Sequence, residues 1–310
     1  MFIIRHKTKF FILSAALTVF SIFSIFFWGL NPGIEFTGGT ITEIAYTEER
    51  PSAQNVKTTL ESAGFEAVLV QETNKDGLVI RTKELDTEKR ALLFSTLSED
   101  GTKSVTEKRY SLVGPSIGHE LRTKAWIAIA LVLLGIILFV AFAFRKVSHG
   151  SVQSISRGAS HWHYSVAAIV ALAHDIIIPT GIFAFLGSRL IDAQIDVLFV
   201  TALLAILGYS VNDTIVVFDR VRENLRLNQE TKSKATFTET VGESLRQTYT
   251  RSINTSLTTL FVLLALFFIG GAATKNFVLV LAIGVLAGTY SSLFLAAPFL
   301  VTIAQLKRGT

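Results

Sequence analysis

Six long apolar stretches, separated by more polar segments, set the pattern of this 310-residue chain. The hydrocarbon core of a bilayer is about 30 Å thick, and an α-helix needs roughly 20 apolar residues to cross it. Each stretch therefore predicts one transmembrane helix. The predicted spans cover residues 10–30, 125–144, 166–186, 197–218, 252–270 and 277–304.

The long segment between the first two spans, residues 31–124, follows a pattern of short alternating stretches. It predicts four strands and two helices in the order βαββαβ, which is typical of a ferredoxin-like domain. Asp86 is the predicted N-cap of the second helix. No spacing in this segment indicates a catalytic or metal site, so we expect a small binding domain. The predicted strands cover 40–46, 65–71, 78–82 and 103–113, the helices cover 51–63 and 86–97, and a turn runs through Asn74–Gly77.

Composition agrees with a membrane protein, because half of the residues are hydrophobic and 17% are charged. Soluble domains carry about 25% charged residues. The net charge of +5 does not indicate nucleic-acid binding, since residues 31–124 hold slightly more acid than base and the basic residues flank the apolar stretches. The absence of cysteine excludes disulfides and thiolate metal sites.

Basic residues in the short loops predict the orientation. With a cytoplasmic N-terminus, the short outer loops contain only Arg189 and Lys275. The inside segments then hold many more basic residues: Arg145, Lys146, Arg157, Arg220, Arg222, Arg226, Lys232, Lys234, Arg246, Lys307 and Arg308. We therefore expect a multi-pass protein of the inner (cytoplasmic) membrane, with residues 31–124 outside. The first span is followed by Asn31-Pro32-Gly33 rather than a cleavage site, which predicts an uncleaved anchor. The predicted cytoplasmic segments include residues 1–9, 219–251 and 305–310.

Asp213 lies well inside the fourth span, with apolar residues on both sides. A charge at the centre of a membrane helix costs about 2.5–3.5 kcal/mol on insertion scales. We interpret this carboxyl as a proton relay that alternates between a protonated form and a form paired with a cation, with Asn212 and Thr214 as hydrogen-bond partners. The alternative is a static polar contact between helices, but a neutral Asn would serve there without the cost of charge.

The fifth span supplies a candidate cation in Arg251 at its cytoplasmic end. A polar stripe begins there and follows the spacing i, i+3, i+4 and i+7, so it lines one helical face. Such a stripe predicts a protein interior or a water-filled path. The alternative for Arg251 itself is snorkelling to the lipid headgroups. The stripe consists of Arg251, Asn254, Thr255 and Thr258.

Two further carboxylates are secondary candidates for the relay. Asp175 lies in the third span, four residues before Pro179, which is expected to kink the helix and could open a polar pocket or be simple helix geometry. Asp219 lies at the cytoplasmic end of the fourth span and is expected to join a surface charge cluster. Gly284 and Gly288 form a small-xxx-small pair that predicts close helix packing.

Several motifs together resemble a known family. They are Gly33-Ile34-Glu35-Phe36-Thr37-Gly38-Gly39-Thr40, Val113-Gly114-Pro115-Ser116-Ile117-Gly118, Ala171–Asp175, Gly208–Asn224 and Arg251–Thr259. In this order they resemble the SecF proteins, the smaller half of the SecD–SecF accessory translocase in the resistance-nodulation-division superfamily. Glu35 departs from the pattern, which more often has Asp.

The resemblance implies assembly with SecD, action beside the SecYEG channel on unfolded preproteins, and use of the proton gradient in place of a bound cofactor. YajC is a further candidate partner. It also implies that Asp213 and Arg251 are the proton-path residues, the two positions that burial cost and helical spacing indicate independently.

Two other functions were weighed against this one. An intramembrane aspartyl protease would use Asp175 and Asp213 as its two acids, but no Gly-x-Gly-Asp segment is present. A nearby arginine would also hold a carboxylate ionised where that chemistry needs a shared proton. A free-standing exporter of small amphiphiles is disfavoured by the modest outer domain and the single set of six spans.

Overall fold

The computed structural model describes residues 2–73, 76–99, 101–144, 161–189 and 193–306, which fall into two compact units. The helical unit comprises residues 1–31, 128–193 and 198–310. The α/β unit comprises residues 32–127 and 194–197.

Helices and strands follow one another in the order that the sequence predicts. The chain starts with α1 (Phe2–Arg5) and α2 (Lys7–Phe27). The α/β unit then contains α3 (Ile34–Thr37), β1 (Gly39–Tyr46), α4 (Ala53–Ser62), β2 (Leu69–Thr73), β3 (Gly77–Thr82), α5 (Thr87–Leu97) and β4 (Val105–Val113). The remaining elements are α6 (Pro115–Phe144), α7 (His161–Gly187), α8 (Val197–Glu230), α9 (Phe237–Ile269), α10 (Ala272–Tyr290), a π-helical turn (Ser291–Ala296) and α11 (Ala297–Leu306).

Within the described part of the chain, six helical segments are long and apolar enough to cross a membrane. Each overlaps one of the six predicted spans, with α10, the π-turn and α11 together forming the last. The first helix ends at Phe27, three residues before the predicted end of its span, and the fifth ends at Ile269, one residue before. Residues 219–251, predicted as a loop between spans, are largely helical, because α8 continues to Glu230 and α9 begins at Phe237. The start of α9 is fixed by a reciprocal capping box between Thr236 and Glu239.

The α/β unit contains a four-stranded sheet in the order β2-β3-β1-β4, in which all neighbouring strands are antiparallel. Asp86 caps α5 as predicted, accepting a hydrogen bond from the Lys89 amide at 2.7 Å. The predicted strand 65–71 was partly wrong, because β2 begins at Leu69. Ala67 has a φ of +53°, which interrupts an extended strand, and Phe65 and Val68 insert into the core of the unit. Asn74 and Lys75 of the predicted turn lie outside the described residues.

Small residues allow the helices of the helical unit to approach closely. A Cβ added to Gly284 would lie 2.1 Å from the side chain of Ile206, and one added to Gly288 would lie 3.0 Å from that of Ser210. The predicted small-xxx-small face is therefore confirmed, and it packs against α8. The sequence analysis missed Gly181, where an added Cβ would lie 2.3 Å from the Ser21 backbone and which brings α7 onto α2.

Glycines in the α/β unit allow two segments of backbone to lie in direct contact. Gly38 and Gly39 have φ values of +73° and +126°, a region that favours glycine. A Cβ added to Gly118 would lie 2.8 Å from the Gly38 backbone nitrogen. Because backbone atoms cannot move aside as a flexible side chain can, this contact tolerates no side chain at position 118.

We expect Gly118→Ala to destabilise the protein by about 1–3 kcal/mol, the usual cost of overpacking a tight contact. Gly114→Ala is the matched control, since a Cβ there meets nothing within 4 Å. The measurement is the midpoint of thermal unfolding of the full chain in detergent. Equal midpoints for the two variants would contradict the backbone contact.

Candidate functional site

Asp213 lies on α8, half-buried in the helical unit. Its Oδ1 accepts a hydrogen bond from the Ser252 hydroxyl on α9 at 2.5 Å. Its Oδ2 is buried and has no hydrogen-bond partner among the described residues. A carboxyl with one oxygen satisfied and the other open has room to bind a proton or to receive a second donor.

Arg251 is exposed, and no ion pair joins it to Asp213 within the described part of the chain. Its side chain instead lines a cavity of about 270 Å³ together with Asp219 and Arg220. Consecutive residues of a helix point about 100° apart. Ser252 therefore faces Asp213, while the preceding residue, Arg251, points in another direction. The predicted direct pairing is therefore not formed in this structure.

The remaining stripe residues Asn254, Thr255 and Thr258 are exposed on α9, as is Asn212 on α8. The stripe is therefore not buried within this chain, and its prediction to face a protein interior or a water-filled path stays a prediction about a surface completed by a partner or by water. The buried polar face of α9 lies beside it and follows an i, i+4 repeat that the sequence analysis overlooked. That buried face consists of Thr240, Ser244, Thr248, Ser252 and Ser256.

Beyond Ser252, the partner of Asp213, the i, i+4 repeat on α9 leads into a cluster of hydroxyl groups. Ser256 Oγ donates to the Ser252 carbonyl at 2.8 Å and lies 2.5 Å from the Thr289 hydroxyl on α10. Tyr209 donates its hydroxyl to Ser256 Oγ at 3.1 Å. Hydroxyl groups therefore connect α8, α9 and α10 within one turn of the Asp213 site.

Asp175 is fully buried on α7, in a setting different from that of Asp213. Its Oδ2 accepts hydrogen bonds from Ser210 on α8 and from Ser291 at the start of the π-turn. Its Oδ1 lies 3.0 Å from Nδ1 of the neighbouring His174. Pro179 lies within α7, which continues unbroken to Gly187.

The π-turn presents a second serine to α8. Ser292 lies 2.9 Å from the Thr214 hydroxyl, and its own hydroxyl donates to the Ser210 carbonyl at 3.4 Å. Thr214 follows Asp213 directly, so its hydroxyl was predicted as a partner of that carboxyl, yet it points to Ser292 instead. The Asp175 and Asp213 sites thus lie close together along α8 but have separate hydrogen-bond partners.

Asp219 belongs to the surface, where it forms an ion pair with Arg222 at 2.8 Å and both side chains are about half exposed. Among the residues that the structure describes, no cluster of His, Cys, Asp and Glu has the arrangement of a metal site.

Glu35 in the α/β unit has a role that the sequence did not reveal. Its carboxylate accepts a hydrogen bond from the amide of Val197, the first residue of α8, at 2.8 Å. The Gly33 amide donates to the Ile195 carbonyl at 2.9 Å beside it. Since the first amides of a helix lack partners within the helix, a carboxylate there satisfies one and also complements the helix dipole.

Residues 94–156 and 159–306 match the family described as protein export membrane protein SecD/SecF, C-terminal. A protein translocase subunit SecF from Thermobaculum terrenum is 40% identical over 97% of this chain and 93% of its own length. The chain belongs to the SecF family. It is therefore a multi-pass membrane protein and a component of protein transport rather than an enzyme.

Further comparisons agree with this assignment. Residues 23–49, which include Gly38 and Gly39, match the SecD/SecF GG motif. A protein translocase subunit SecF from Pseudomonas aeruginosa is 36% identical over 94% of this chain and 87% of its own. A solved structure of SecDF from Thermus, described as a translocon-associated membrane protein, superposes with a TM-score of 0.81 at 31% identity. The chain is covered over 97% of its length and spans 38% of that SecDF chain.

We expect Glu35→Ala to lower the stability of the full chain by about 1–2 kcal/mol, because it removes a charge-assisted hydrogen bond to the α8 terminus. Glu35→Gln retains an acceptor oxygen and should lose less. Glu48→Ala, at an exposed position, serves as the control. Thermal unfolding in detergent measures the effect, and a Glu35→Ala protein that melts at the same temperature as the Glu48→Ala protein would refute the capping role.

Proposed function

We propose that this chain is a proton-coupled accessory subunit of the Sec translocase that acts with SecD to complete the export of secreted polypeptides. The observation that carries the proposal is the Asp213 carboxyl, held within a membrane span with one oxygen on Ser252 and the other unpartnered among the described residues. An ionisable group in such a place is costly and marks proton relays in membrane proteins. Membership of the SecF family agrees with it.

Association with SecD is supported by the polar face that the isolated chain exposes. Asn254, Thr255 and Thr258 are exposed on α9, and Asn212 is exposed on α8, all within membrane-length helices. The Thr258 hydroxyl donates to the Thr255 carbonyl of its own helix at 2.9 Å, but the side-chain amides of Asn212 and Asn254 are unfavourable against lipid and need another polar surface or water. A SecD subunit is the partner that fits, since the SecDF relatives by name unite both proteins. SecYEG, preprotein clients and YajC are the further partners proposed.

In the mechanism that we propose, Asp213 alternates between a protonated and an ionised form. The protonated form needs no counter-charge, and its Oδ1 keeps the hydrogen bond with Ser252. When the proton leaves, the carboxylate draws the guanidinium of Arg251 towards its open Oδ2, and α8 and α9 repack against SecD. This differs from a permanent ion pair, because no ion pair joins Asp213 and Arg251 among the described residues. The driving force is the proton gradient and not a bound cofactor.

The energy available limits what one proton can do. A charge that crosses 100 mV gains about 2.3 kcal/mol, whereas shifting an equilibrium from 1:99 to 99:1 takes about 5.5 kcal/mol. One proton therefore biases the equilibrium between two arrangements, and a complete shift requires more than one proton or a pH difference in addition.

We also propose that the protein lies in the inner membrane with both termini in the cytoplasm and the α/β unit outside. The uneven distribution of basic residues supports this orientation. The strand order β2-β3-β1-β4, with two helices in the βαββαβ sequence, supports a ferredoxin-like domain.

The protease alternative loses support, because its two acids have separate partners. Asp175 is held by Ser210 and Ser291, while Asp213 is held by Ser252, and no hydrogen bond joins the two carboxyls among the described residues. An aspartyl dyad needs two carboxyls close enough to share a proton.

We expect Asp213→Asn to reduce the gain in export that a proton gradient produces by at least tenfold, because Asn is as polar as Asp but cannot bind and release a proton. Asp219→Asn, on the exposed surface of the same helix, is the control. The measurement is translocation of a preprotein across membrane vesicles with and without a proton gradient, with co-purification of SecD as the check on assembly. Retention of gradient-dependent export in Asp213→Asn would disprove the relay.

Substituting Thr255 and Thr258 together by Trp should weaken co-purification of SecD several-fold, because two large side chains would hold the proposed interface apart. Leu257→Trp, which points to another side of α9 and is also exposed, should leave co-purification unchanged. If the double variant retains SecD as well as Leu257→Trp does, the stripe is not the SecD contact.

A further inference from the structure

The carboxyl of Asp175 is the most deeply buried acid in the described helical unit, and the mechanism above does not use it. Its side chain has no exposed surface, and His174 beside it is 4% exposed. We propose that Asp175 is a second proton-binding site of this chain, and that it carries its proton in the conformation seen here. The inference deepens the proposed function, although its central measurement does not depend on export.

The surroundings of Asp175 contain no cation among the described residues that would stabilise its charged form. An ionised carboxylate without a counter-ion is costly in a low-dielectric interior. No lysine or arginine contacts Asp175 among the described residues, and its one ionisable partner there is His174 at 3.0 Å. The neighbouring elements bring uncharged groups: Ser210 from α8 and Ser291 from the π-turn donate to Asp175, and the Tyr290 ring of α10 stacks on His174.

The surrounding hydroxyl groups accommodate both the ionised and the protonated form of Asp175. Ser291 Oγ lies 2.8 Å from Asp175 Oδ2 and 3.1 Å from the Gly288 carbonyl oxygen, but it has a single hydrogen to donate. With the acid ionised, Ser291 donates to Oδ2. With the acid protonated, Oδ2–H donates to Ser291 Oγ, and Ser291 turns its hydrogen to Gly288. In both arrangements, the hydrogen bond between Asp175 and Ser291 is kept and the Ser291 hydrogen has an acceptor.

The position of the proton follows from His174. Its Nε2 is buried without a partner in the described structure. An imidazolium would leave a charged N–H group unsatisfied there, whereas a neutral ring leaves a lone pair, which costs less. The arrangement that satisfies most groups has Nδ1–H donating to Asp175 Oδ1 and the additional proton on Asp175 Oδ2.

The site also links protonation to helix geometry. Ser291 opens the π-turn, and π-turns within α-helices occur frequently at functional sites. The next residue, Ser292, contacts Thr214, which adjoins Asp213 on α8. A change in the proton on Asp175 therefore alters the hydrogen bond that holds the π-turn, one residue from the contact that reaches the Asp213 segment.

The test is infrared spectroscopy of the full chain in lipid nanodiscs. We expect a carbonyl band of a protonated carboxyl that is lost in Asp175→Asn and persists in Asp213→Asn. In case Asp175→Asn does not fold, Ser291→Ala should shift the same band, while Ser24→Ala, a buried serine bonded to its own helix, should not. Absence of a band that responds to these substitutions would overturn the proposal, as would nitrogen NMR showing His174 doubly protonated beside an ionised Asp175.

Export assays separate this inference from the proposed function. Because Asn at position 175 resembles the protonated acid, Asp175→Asn should assemble with SecD but lose at least half of the gradient-dependent gain. If the infrared band of protonated Asp175 is present and Asp213→Asn keeps its gradient-dependent export, only the proposed relay at Asp213 is refuted. Coupling lost in Asp213→Asn, with no band at Asp175, would refute the second site alone.

Discussion

A polar group withdrawn from water must find a partner inside the protein, and in hydrocarbon that requirement becomes the strongest constraint on structure. The helical unit meets it with hydroxyl groups. Ser210 and Ser291 satisfy Asp175, Ser252 satisfies one oxygen of Asp213, and Ser256, Thr289 and Tyr209 satisfy one another. Hydroxyls suit this purpose, because each donates and accepts and can reorient when a proton arrives or leaves.

The same constraint explains why the helices must approach closely. A serine side chain is short, so its hydroxyl reaches a partner on another helix only where the two backbones lie near each other. Gly288 allows α10 to pack on α8 at Ser210, and Gly284 allows the same contact one turn away, against Ile206. Small residues and hydroxyl contacts are therefore two parts of one packing arrangement, and a larger side chain at Gly288 would disturb the Asp175 site without contacting the acid.

The two acids differ in what surrounds them, and this difference separates the roles that we propose for them. Asp213 is half-buried near exposed polar residues, so in the proposed mechanism it exchanges its proton with a partner surface or with water. Asp175 is enclosed by α7, α8 and the π-turn, so in the proposed second site a proton exchanges only when those elements separate. Asp219 differs from both, because it is exposed and paired with Arg222 on the surface. Neither a partner surface beside Asp213 nor a separation of the helices around Asp175 changes that pair.

The sequence by itself determined the six spans, the order of the four strands and of α4 and α5 in the α/β unit, the Asp86 cap and the position of Asp213 within a span, because these follow from local periodicity and from the composition of the apolar stretches. It did not determine which face of α9 turns inward. The polar stripe that begins at Arg251 is as regular as the neighbouring face that contains Ser252 and Ser256, and only packing against α8 and α10 selected the second of them. Nor could it pair Glu35 with Val197, or Asp175 with Ser291, since residues more than 100 positions apart meet through the tertiary fold. The spacing of residues along one helix can be read directly from the sequence, whereas the contacts between helices depend on how all of them pack together.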